Sequence, residues 1–218
     1  MKALFGKLKN KIESQFAFVS GRIRHESATP LKFVNALGVY LQFKILRNAR
    51  IIGYPFEITI DPCNFCNLSC PLCPTGMKDV KEPKGRMTFD QFRSIVDRLW
   101  KYLYDIELHN WGEPFLNRDI LEMIRYARNK NISVRLSSNL CHLPKGWARE
   151  LVKLGVACIF VSADGVTQDV YEIYRKGGEL SKALENIKRL VRWKDELHSK
   201  TPDIVLNFIS FRHNAHQR

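Results

Sequence analysis

Four of the six cysteines stand within eleven residues, the densest group of metal-ligating side chains in this chain of 218 residues. Two ligand spacings are nested there: Cys66, Cys70 and Cys73 form a C-x3-C-x2-C pattern, and Cys63 with Cys66 forms C-x-x-C. Thiolates this close in sequence can bind one metal centre from a single loop, and soft sulfur ligands favour zinc or an iron–sulfur cluster. Such crowding does not resemble a disulfide framework, and it predicts a metal or redox role in a reducing compartment.

The number of ligands distinguishes the possible metal centres. A structural zinc site takes four ligands, often as two separated pairs, but no second pair follows because Cys141 and Cys158 stand alone. A thioredoxin-type C-x-x-C is expected at a helix N-terminus without further cysteines beside it. Three thiolates suit a four-iron cluster with one iron left without a protein ligand, and such an open position is typical of a catalytic metal site.

The cysteine loop directly follows the first of five predicted strands, and helices alternate with these strands. The strands are predicted over residues 56–60, 106–111, 132–136, 156–161 and 204–209. One helix is predicted from a capping box at Thr88 and Gln91 through Leu103, and others over residues 117–129, 144–154 and 181–193, with Asn117 as an N-cap. The alternation predicts the α/β class, as a partial (β/α) barrel with parallel strands. Polar residues follow the strands, at the end where such folds bind ligands.

The run from Cys66 to Cys73, in the context CNLSCPLCP after the first strand, resembles the cluster loop of the radical S-adenosylmethionine (radical SAM) superfamily. The resemblance covers nearly all of residues 56–218. It implies a [4Fe–4S] cluster held by Cys66, Cys70 and Cys73, with SAM as a second cofactor. It also implies an enzyme that reductively cleaves SAM to methionine and a 5′-deoxyadenosyl radical, which takes hydrogen from a substrate. The cofactors would carry this chemistry while the protein positions them.

The resemblance also assigns SAM contacts to the strand ends. Trp111-Gly112-Glu113-Pro114 is similar to the family's GGEP element, which receives the SAM amino group, although Trp111 replaces the first glycine. Short polar side chains are expected near the SAM amino acid moiety at Ser138 and Asn139, and near the ribose at Ser162 and Asp164. Arg175, in a segment that resembles Y..yR.gg, is expected to pair with the SAM carboxylate, and Leu72 to lie near the adenine. The alternative to a SAM-binding role is that Gly112 only forms a tight turn and that Arg175 is a surface residue.

The other cysteines and one histidine are expected to have structural roles. Cys63 lies outside the family pattern and is expected to be a loop cysteine without a metal role. Cys141 and Cys158 are expected to be buried small hydrophobes. His109 and Asn110 are expected to point toward the barrel mouth, with His109 a satisfied interior histidine rather than a catalytic one.

Residues 1–54 form a basic N-terminal extension before the predicted core at residues 55–218. The extension carries ten basic and two acidic side chains, a net +8 of the chain's +13. Apolar residues such as Phe33, Leu41 and Phe43 interleave with the charges, which predicts a helical extension docked by its apolar stripe; the alternative is weak contact with an anionic membrane surface. No nucleic-acid motif accompanies the charge, so nucleic acid is not an expected partner. No apolar run could span a bilayer and no secretory signal is recognisable, so a cytoplasmic location is expected.

The predicted core has about five βα units, whereas family cores usually have six, so the chain is expected to be truncated. The strand ends look most like the SPASM-type branch, which carries a cysteine-rich C-terminal extension and often acts on peptides or proteins, sometimes on small molecules. The expected partners are an unidentified substrate of these classes and a one-electron reductant such as flavodoxin or ferredoxin. The alternatives are a non-catalytic metal-binding module and an inactive fragment of a longer enzyme.

Overall fold

A single parallel sheet organises the computed structural model, which describes residues 29–46, 53–79 and 83–218. The strands lie side by side in chain order: β1 (Glu57–Thr59), β2 (Asp105–Glu107), β3 (Ser133–Ser138), β4 (Cys158–Ser162) and β5 (Asp203–Asn207). Every neighbouring pair is parallel. The predicted α/β class, the five strands and their parallel pairing are therefore confirmed, in an open sheet with β1 and β5 at its edges.

Helices connect the strands, as parallel pairing requires. In chain order they are α1 (Pro30–Leu41), α2 (Pro74–Met77), α3 (Phe89–Leu99), α4 (Ile120–Asn129), α5 (Trp147–Lys153), α6 (Gln168–Tyr174) and α7 (Leu180–Glu196). A π-helical turn (Gln42–Leu46) continues α1, and 3-10 turns occur at Pro114–Leu116 and Ala215–Gln217. Helices α2 and α6 are absent from the sequence-based prediction.

The helix starts show one correct and one wrong capping prediction. Thr88 and Gln91 form the expected capping box at α3, each side chain accepting a backbone N–H of the other residue. At α4 the N-cap is Asp119 rather than Asn117. The Asn117 side chain instead donates to the carbonyls of Pro62 and Met87, at 2.8 and 2.9 Å. Asn117 therefore joins the loops after β1 and β2, a role that capping statistics do not reveal.

One face of the sheet packs against the helices and forms the hydrophobic core. Helices α3, α4, α5 and α7 all contribute buried side chains to it. The strand residues that point into this core are fully buried, namely Ile106, Val134, Leu136, Ile159 and Val161. Burying each such side chain contributes about 1.5–3 kcal/mol, so the helix-covered face supplies the stability of the platform on which the strand ends are held.

The opposite face of the sheet carries three carboxylates that surround one arginine. Arg135 on β3 lies 2.6 Å from a Glu57 carboxylate oxygen on β1, and 3.0 Å from oxygens of Asp105 and Glu107 on β2. All four side chains are largely buried, with 10–23 % exposed. Three strands are thus connected by a single guanidinium.

Helix α1 docks through Lys32 and the small Ala36 rather than through its large apolar residues. The Lys32 side chain is 1 % exposed and donates to the Asn131 carbonyl at 2.5 Å. Phe33, Leu41 and Phe43 are exposed, so the predicted docking by an apolar stripe is wrong for the part of the extension that the structure describes. The other predicted members of that stripe, Leu4 to Phe18, lie outside the described residues. Within residues 29–46, 53–79 and 83–218, no helix has the length and apolar character needed to cross a bilayer.

Candidate active site

The loop after β1 folds so that three thiols face one space. Leu68 and Cys70 are buried against Tyr174 of α6, and Cys66 and Cys73 pack partly buried against the same group. Cys73 occupies the N-cap position of α2. The loop is wound tightly, because a Cβ on Gly76 would lie 2.4 Å from the Cys70 carbonyl oxygen. A short apolar cluster and one close backbone contact therefore bring together cysteines that the sequence spaces over eight residues.

These thiols line a cavity of about 120 Å³ with the carboxyl ends of β2, β3 and β4. Ten of the twelve predicted site residues line it: Cys66, Cys70, Cys73, Trp111, Gly112, Glu113, Ser138, Asn139, Ser162 and Arg175. His109, Asn110, Ser137, Leu68 and Gly76 complete the wall. The positions predicted from separate strand ends therefore form one site. Their individual roles toward a cofactor stay predictions.

Glu113 connects the strand ends at the centre of this site. Its carboxylate is 3 % exposed and accepts from the Ser138 hydroxyl at 2.7 Å, the Asn139 amide side chain at 2.7 Å and the Asn139 backbone N–H at 3.0 Å. The backbone N–H of Phe115 donates to it at 3.3 Å. Burial raises the pKa of Glu113 to about 7, because four donors offset only part of the cost of a charge away from water. The carboxyl group thus orients the end of β3.

Two predicted residues lie outside the cavity wall. Leu72 is 67 % exposed, so its side chain faces solvent. Asp164 is fully buried, and its carboxylate accepts from Arg175 Nε at 2.5 Å and from the Ile209 backbone N–H at 2.7 Å. Asp164 is thus bound to Arg175 and does not line the cavity. Arg175 also points Nη1 at the Cys70 sulfur, 3.8 Å away.

The thiols have the chemistry of cluster ligands. All six cysteines are free. N–H groups point at two of the sulfurs, from the Leu68 backbone (3.4 Å) and Asn139 (3.7 Å) to Cys66, and from Arg175 to Cys70. Such hydrogen bonds tune cluster potentials. Burial raises the pKa of Cys66 to about 12 and also that of Cys70, so metal binding must release protons from these thiols.

The donor set bears on the kind of metal centre. Among the described residues, no three His, Cys, Asp or Glu side chains converge on a single metal ion. An iron–sulfur cluster takes one thiolate at each of several irons. The soft donor set, the shared cavity and the N–H groups directed at sulfur fit a cluster.

The remaining cysteines lie outside the cavity. Cys63 is 2 % exposed and its thiol donates to the Glu113 carbonyl at 3.1 Å. Burial raises the pKa of Cys63 to about 11, so the thiol keeps its proton at neutral pH. Cys158 is buried as expected, whereas Cys141 is half-buried with its sulfur 3.4 Å from the Tyr171 hydroxyl.

His109 differs from its prediction. The imidazole lines the cavity as expected, but its buried Nδ1 has no hydrogen-bond partner in the described part of the chain. Nε2 lies 3.9 Å from a Glu107 oxygen, and burial lowers the pKa of His109. The expectation of a satisfied interior histidine is therefore wrong for Nδ1.

One contributor to the site, Asp61, is missed by sequence reasoning. Its carboxylate accepts the backbone N–H groups of Trp111 at 3.2 Å and Gly112 at 3.3 Å. The available signal was its position two residues after β1, where polar residues of parallel folds meet. The cysteine pattern that begins at Cys63 is the stronger signal in that segment.

The family comparison decides the classification. Residues 60–193 match the family model described as the radical SAM superfamily. The chain belongs to the radical SAM superfamily. The resemblance carried by the cysteine loop is thereby confirmed, and so are the cofactors of that family, a [4Fe–4S] cluster and SAM.

Known proteins of this superfamily match the chain at modest identity. It is 27 % identical over 155 residues to the tungsten-containing aldehyde ferredoxin oxidoreductase cofactor-modifying protein of Pyrococcus furiosus, covering 70 % of this chain and 43 % of that protein. It is 30 % identical over 149 residues to GTP 3',8-cyclase of Alkaliphilus oremlandii, covering 66 % and 45 %. The crystal structure of Streptococcus suis SuiB bound to S-adenosylmethionine superposes with a TM-score of 0.63 at 16 % identity, covering 96 % of this chain and 46 % of SuiB. The radical SAM chain thus spans less than half the length of these proteins.

Proposed function

We propose that this chain contains the catalytic core of a radical SAM enzyme. Cys66, Cys70 and Cys73 would each bind one iron of a [4Fe–4S] cluster, and the fourth iron would stay free of protein ligands and open to SAM. The observation that carries the proposal is the single cavity that these three thiols share with the polar ends of β2, β3 and β4.

When bound and reduced, the cluster supplies the electron that cleaves SAM to methionine and a 5′-deoxyadenosyl radical, which takes hydrogen from a substrate. The chain's own residues would bind and orient the cluster and SAM, and would exclude water from the site. We assign the backbone at Trp111, Gly112 and Glu113 to the SAM amino group, the side chains of Ser138 and Asn139 to its amino acid moiety, Ser162 to the ribose and Leu72 to the adenine. Arg175 would meet the SAM carboxylate, with Asp164 orienting the guanidinium through their ion pair rather than touching the ribose.

The substrate and the electron donor are proposed by class. Strand ends of the SPASM type favour a peptide or protein substrate, with a small molecule as the alternative, and the reductant would be a flavodoxin- or ferredoxin-like protein. A cytoplasmic location is consistent with six free cysteines, because thiols persist in reducing compartments.

The test is anaerobic reconstitution with iron and sulfide, followed by reduction in the presence of SAM. We expect equal amounts of methionine and 5′-deoxyadenosine, and their absence from a Cys66→Ala variant treated in the same way. A protein that retains a full cluster and yields neither product would contradict the proposal. That outcome would favour the alternative of a non-catalytic metal-binding module or an inactive fragment.

A second proposal concerns α1, which we suggest makes a weak contact with anionic membrane surfaces. The face formed by α1 and the π-helical turn after it presents Leu31, Val34, Leu41 and Ile45, each 41–69 % exposed. Lys32 on α1 is buried, and the basic excess belongs to residues 1–54 as a whole. Apolar and basic side chains together suit the interface of an anionic bilayer. Sedimentation with phosphatidylserine vesicles should exceed that with phosphatidylcholine and should fall in Val34→Glu. Equal sedimentation with both lipids would contradict this proposal.

A further inference from the structure

The loop after β1 and the loop after β2 meet through a group that neither the cluster nor SAM is expected to touch. The Asp61 carboxylate accepts the backbone N–H of Trp111 through Oδ2, at 3.2 Å, and that of Gly112 through Oδ1, at 3.3 Å. One carboxylate of the first loop therefore accepts two backbone donors of the second loop, in charge-assisted hydrogen bonds.

Other contacts at the same junction hold the two backbones together. A Cβ on Gly112 would lie 1.7 Å from the Cys63 carbonyl oxygen, so the backbones touch where residue 112 has no side chain. The Glu113 N–H donates to the Phe65 carbonyl at 3.0 Å, and the Cys63 thiol donates to the Glu113 carbonyl at 3.1 Å. The first cluster cysteine, Cys66, follows Phe65 directly. A displacement of either loop is therefore transmitted to the other.

We propose that Asp61 is a positioning residue that sets the Trp111–Glu113 backbone relative to the cysteine loop, and thereby the SAM amino group relative to the cluster. This inference rests on the proposed function. Asp61 is absent from the cavity wall, so it acts through Trp111 and Gly112 rather than on the ligand. An aspartate suits this task because its two oxygens accept in two directions, whereas asparagine keeps one acceptor and turns an NH2 group toward a donor.

The inference predicts a specific pattern in the reconstituted full chain. In Asp61→Asn and Asp61→Ala, iron per chain should stay at the wild-type level because all three cysteines are retained. The Kd for SAM, measured by equilibrium dialysis, should rise about tenfold, which corresponds to about 1.4 kcal/mol. Initial 5′-deoxyadenosine formation at saturating SAM should also fall, because the amino group is displaced relative to the cluster. Asp195→Asn on α7, an exposed residue with the same chemical change, is the matched control and should match wild type in all three readouts.

A second measurement, cysteine alkylation, is made on protein that contains neither the cluster nor SAM. In the cofactor-free protein, Cys63 is buried at the junction and Cys158 in the sheet. Release of the junction in Asp61→Asn should raise alkylation of Cys63 at least tenfold, measured by mass spectrometry, and leave Cys158 unchanged. Alkylation that rises equally at both sites would reveal general unfolding and overturn the inference, as would unchanged Cys63 alkylation or an unchanged Kd for SAM. Wild-type protein that takes up a cluster and fails to bind SAM would instead refute the proposed function, and the alkylation result would still decide the linkage between the loops.

Discussion

Removing either member of the Asp164–Arg175 ion pair should destabilise the fold strongly, and removing both should cost less than the sum. The Asp164 side chain is fully buried and that of Arg175 is 14 % exposed, with 2.5 Å between Oδ2 and Nε. The informative set is Arg175→Met, Asp164→Asn and the double variant. The methionine keeps most of the aliphatic volume and the asparagine keeps an acceptor for the Ile209 N–H.

The magnitude follows from the burial of both charges. A carboxylate left without its partner in this environment costs about 3–5 kcal/mol. We expect about that loss for Arg175→Met and a somewhat smaller one for Asp164→Asn, which leaves an arginine that still has partial access to water. The double variant contains no unpaired charge at this position, so its loss should fall about 2 kcal/mol short of the sum of the singles.

Urea unfolding of the cofactor-free protein at pH 7 measures these differences. With a slope of about 2–3 kcal/mol per molar urea, a loss of 3 kcal/mol lowers the midpoint by about 1–1.5 M. Arg192→Met is the control, because that arginine is 63 % exposed in its pair with Glu196 and should matter by less than about 0.5 kcal/mol. Single losses that add within about 0.3 kcal/mol would refute the reasoning.

Three further predictions address the backbone, the central glutamate and the cysteines. Gly112→Ala should lower the free energy of unfolding by at least about 3 kcal/mol, because its Cβ would lie 1.7 Å from the Cys63 carbonyl oxygen. The control is Gly38→Ala on α1, whose Cβ would meet nothing within 4 Å and which should raise the free energy of unfolding by about 0.5–1 kcal/mol. Equal shifts of the melting temperature in the two variants would contradict this prediction. Burial raises the pKa of Glu113 from 4.5 to about 7, so the folded chain holds a proton that the unfolded chain loses, and the contribution of Glu113 to the free energy of unfolding should fall by about 3 kcal/mol as the pH rises from 4.5 to 7. The difference between the urea midpoints of wild type and Glu113→Gln across this range measures that contribution; equal slopes for the two proteins would contradict it. Single alanine substitutions should abolish iron binding, measured by elemental analysis after reconstitution, only at Cys66, Cys70 and Cys73, with iron retained at Cys63, Cys141 and Cys158. Iron loss at Cys63 and not at Cys73 would reverse the ligand assignment.

The positions around the cavity could be predicted from sequence because the resemblance to the radical SAM superfamily marks them at the strand ends. Apolar residues such as Ile106 and Val134 define the strands, and in a parallel sheet the residues after each strand meet at one edge. Glu113 and Ser138 are 25 residues apart, yet they lie 2.7 Å apart through their side-chain oxygens. The resemblance selects these two residues, and the order and direction of the strands account for their juxtaposition.

The contacts that hold the loops against each other could not be predicted. Asp61 binds backbone N–H groups, which every residue except proline offers, so the identities of its partners carry no signal in the sequence. Lys32 likewise binds the carbonyl of Asn131, 99 residues away. The partner of Asp164 is a side chain, but the choice between Arg175 and a ligand hydroxyl depends on the direction of one buried carboxylate. Such directions are set by tertiary packing rather than by local pattern.

The arginine at the centre of the charged sheet face also bears on how the strands are aligned. Strand registers that differ by two residues present the same side chains to the helices, so the apolar pattern alone does not determine the register. A slip of two residues would carry each carboxylate about 6.6 Å along its strand, which breaks contacts of 2.6–3.0 Å with Arg135. The Arg135 guanidinium thereby favours one register of three strands over the alternatives. The positions of the strand ends around the three thiols depend on that register.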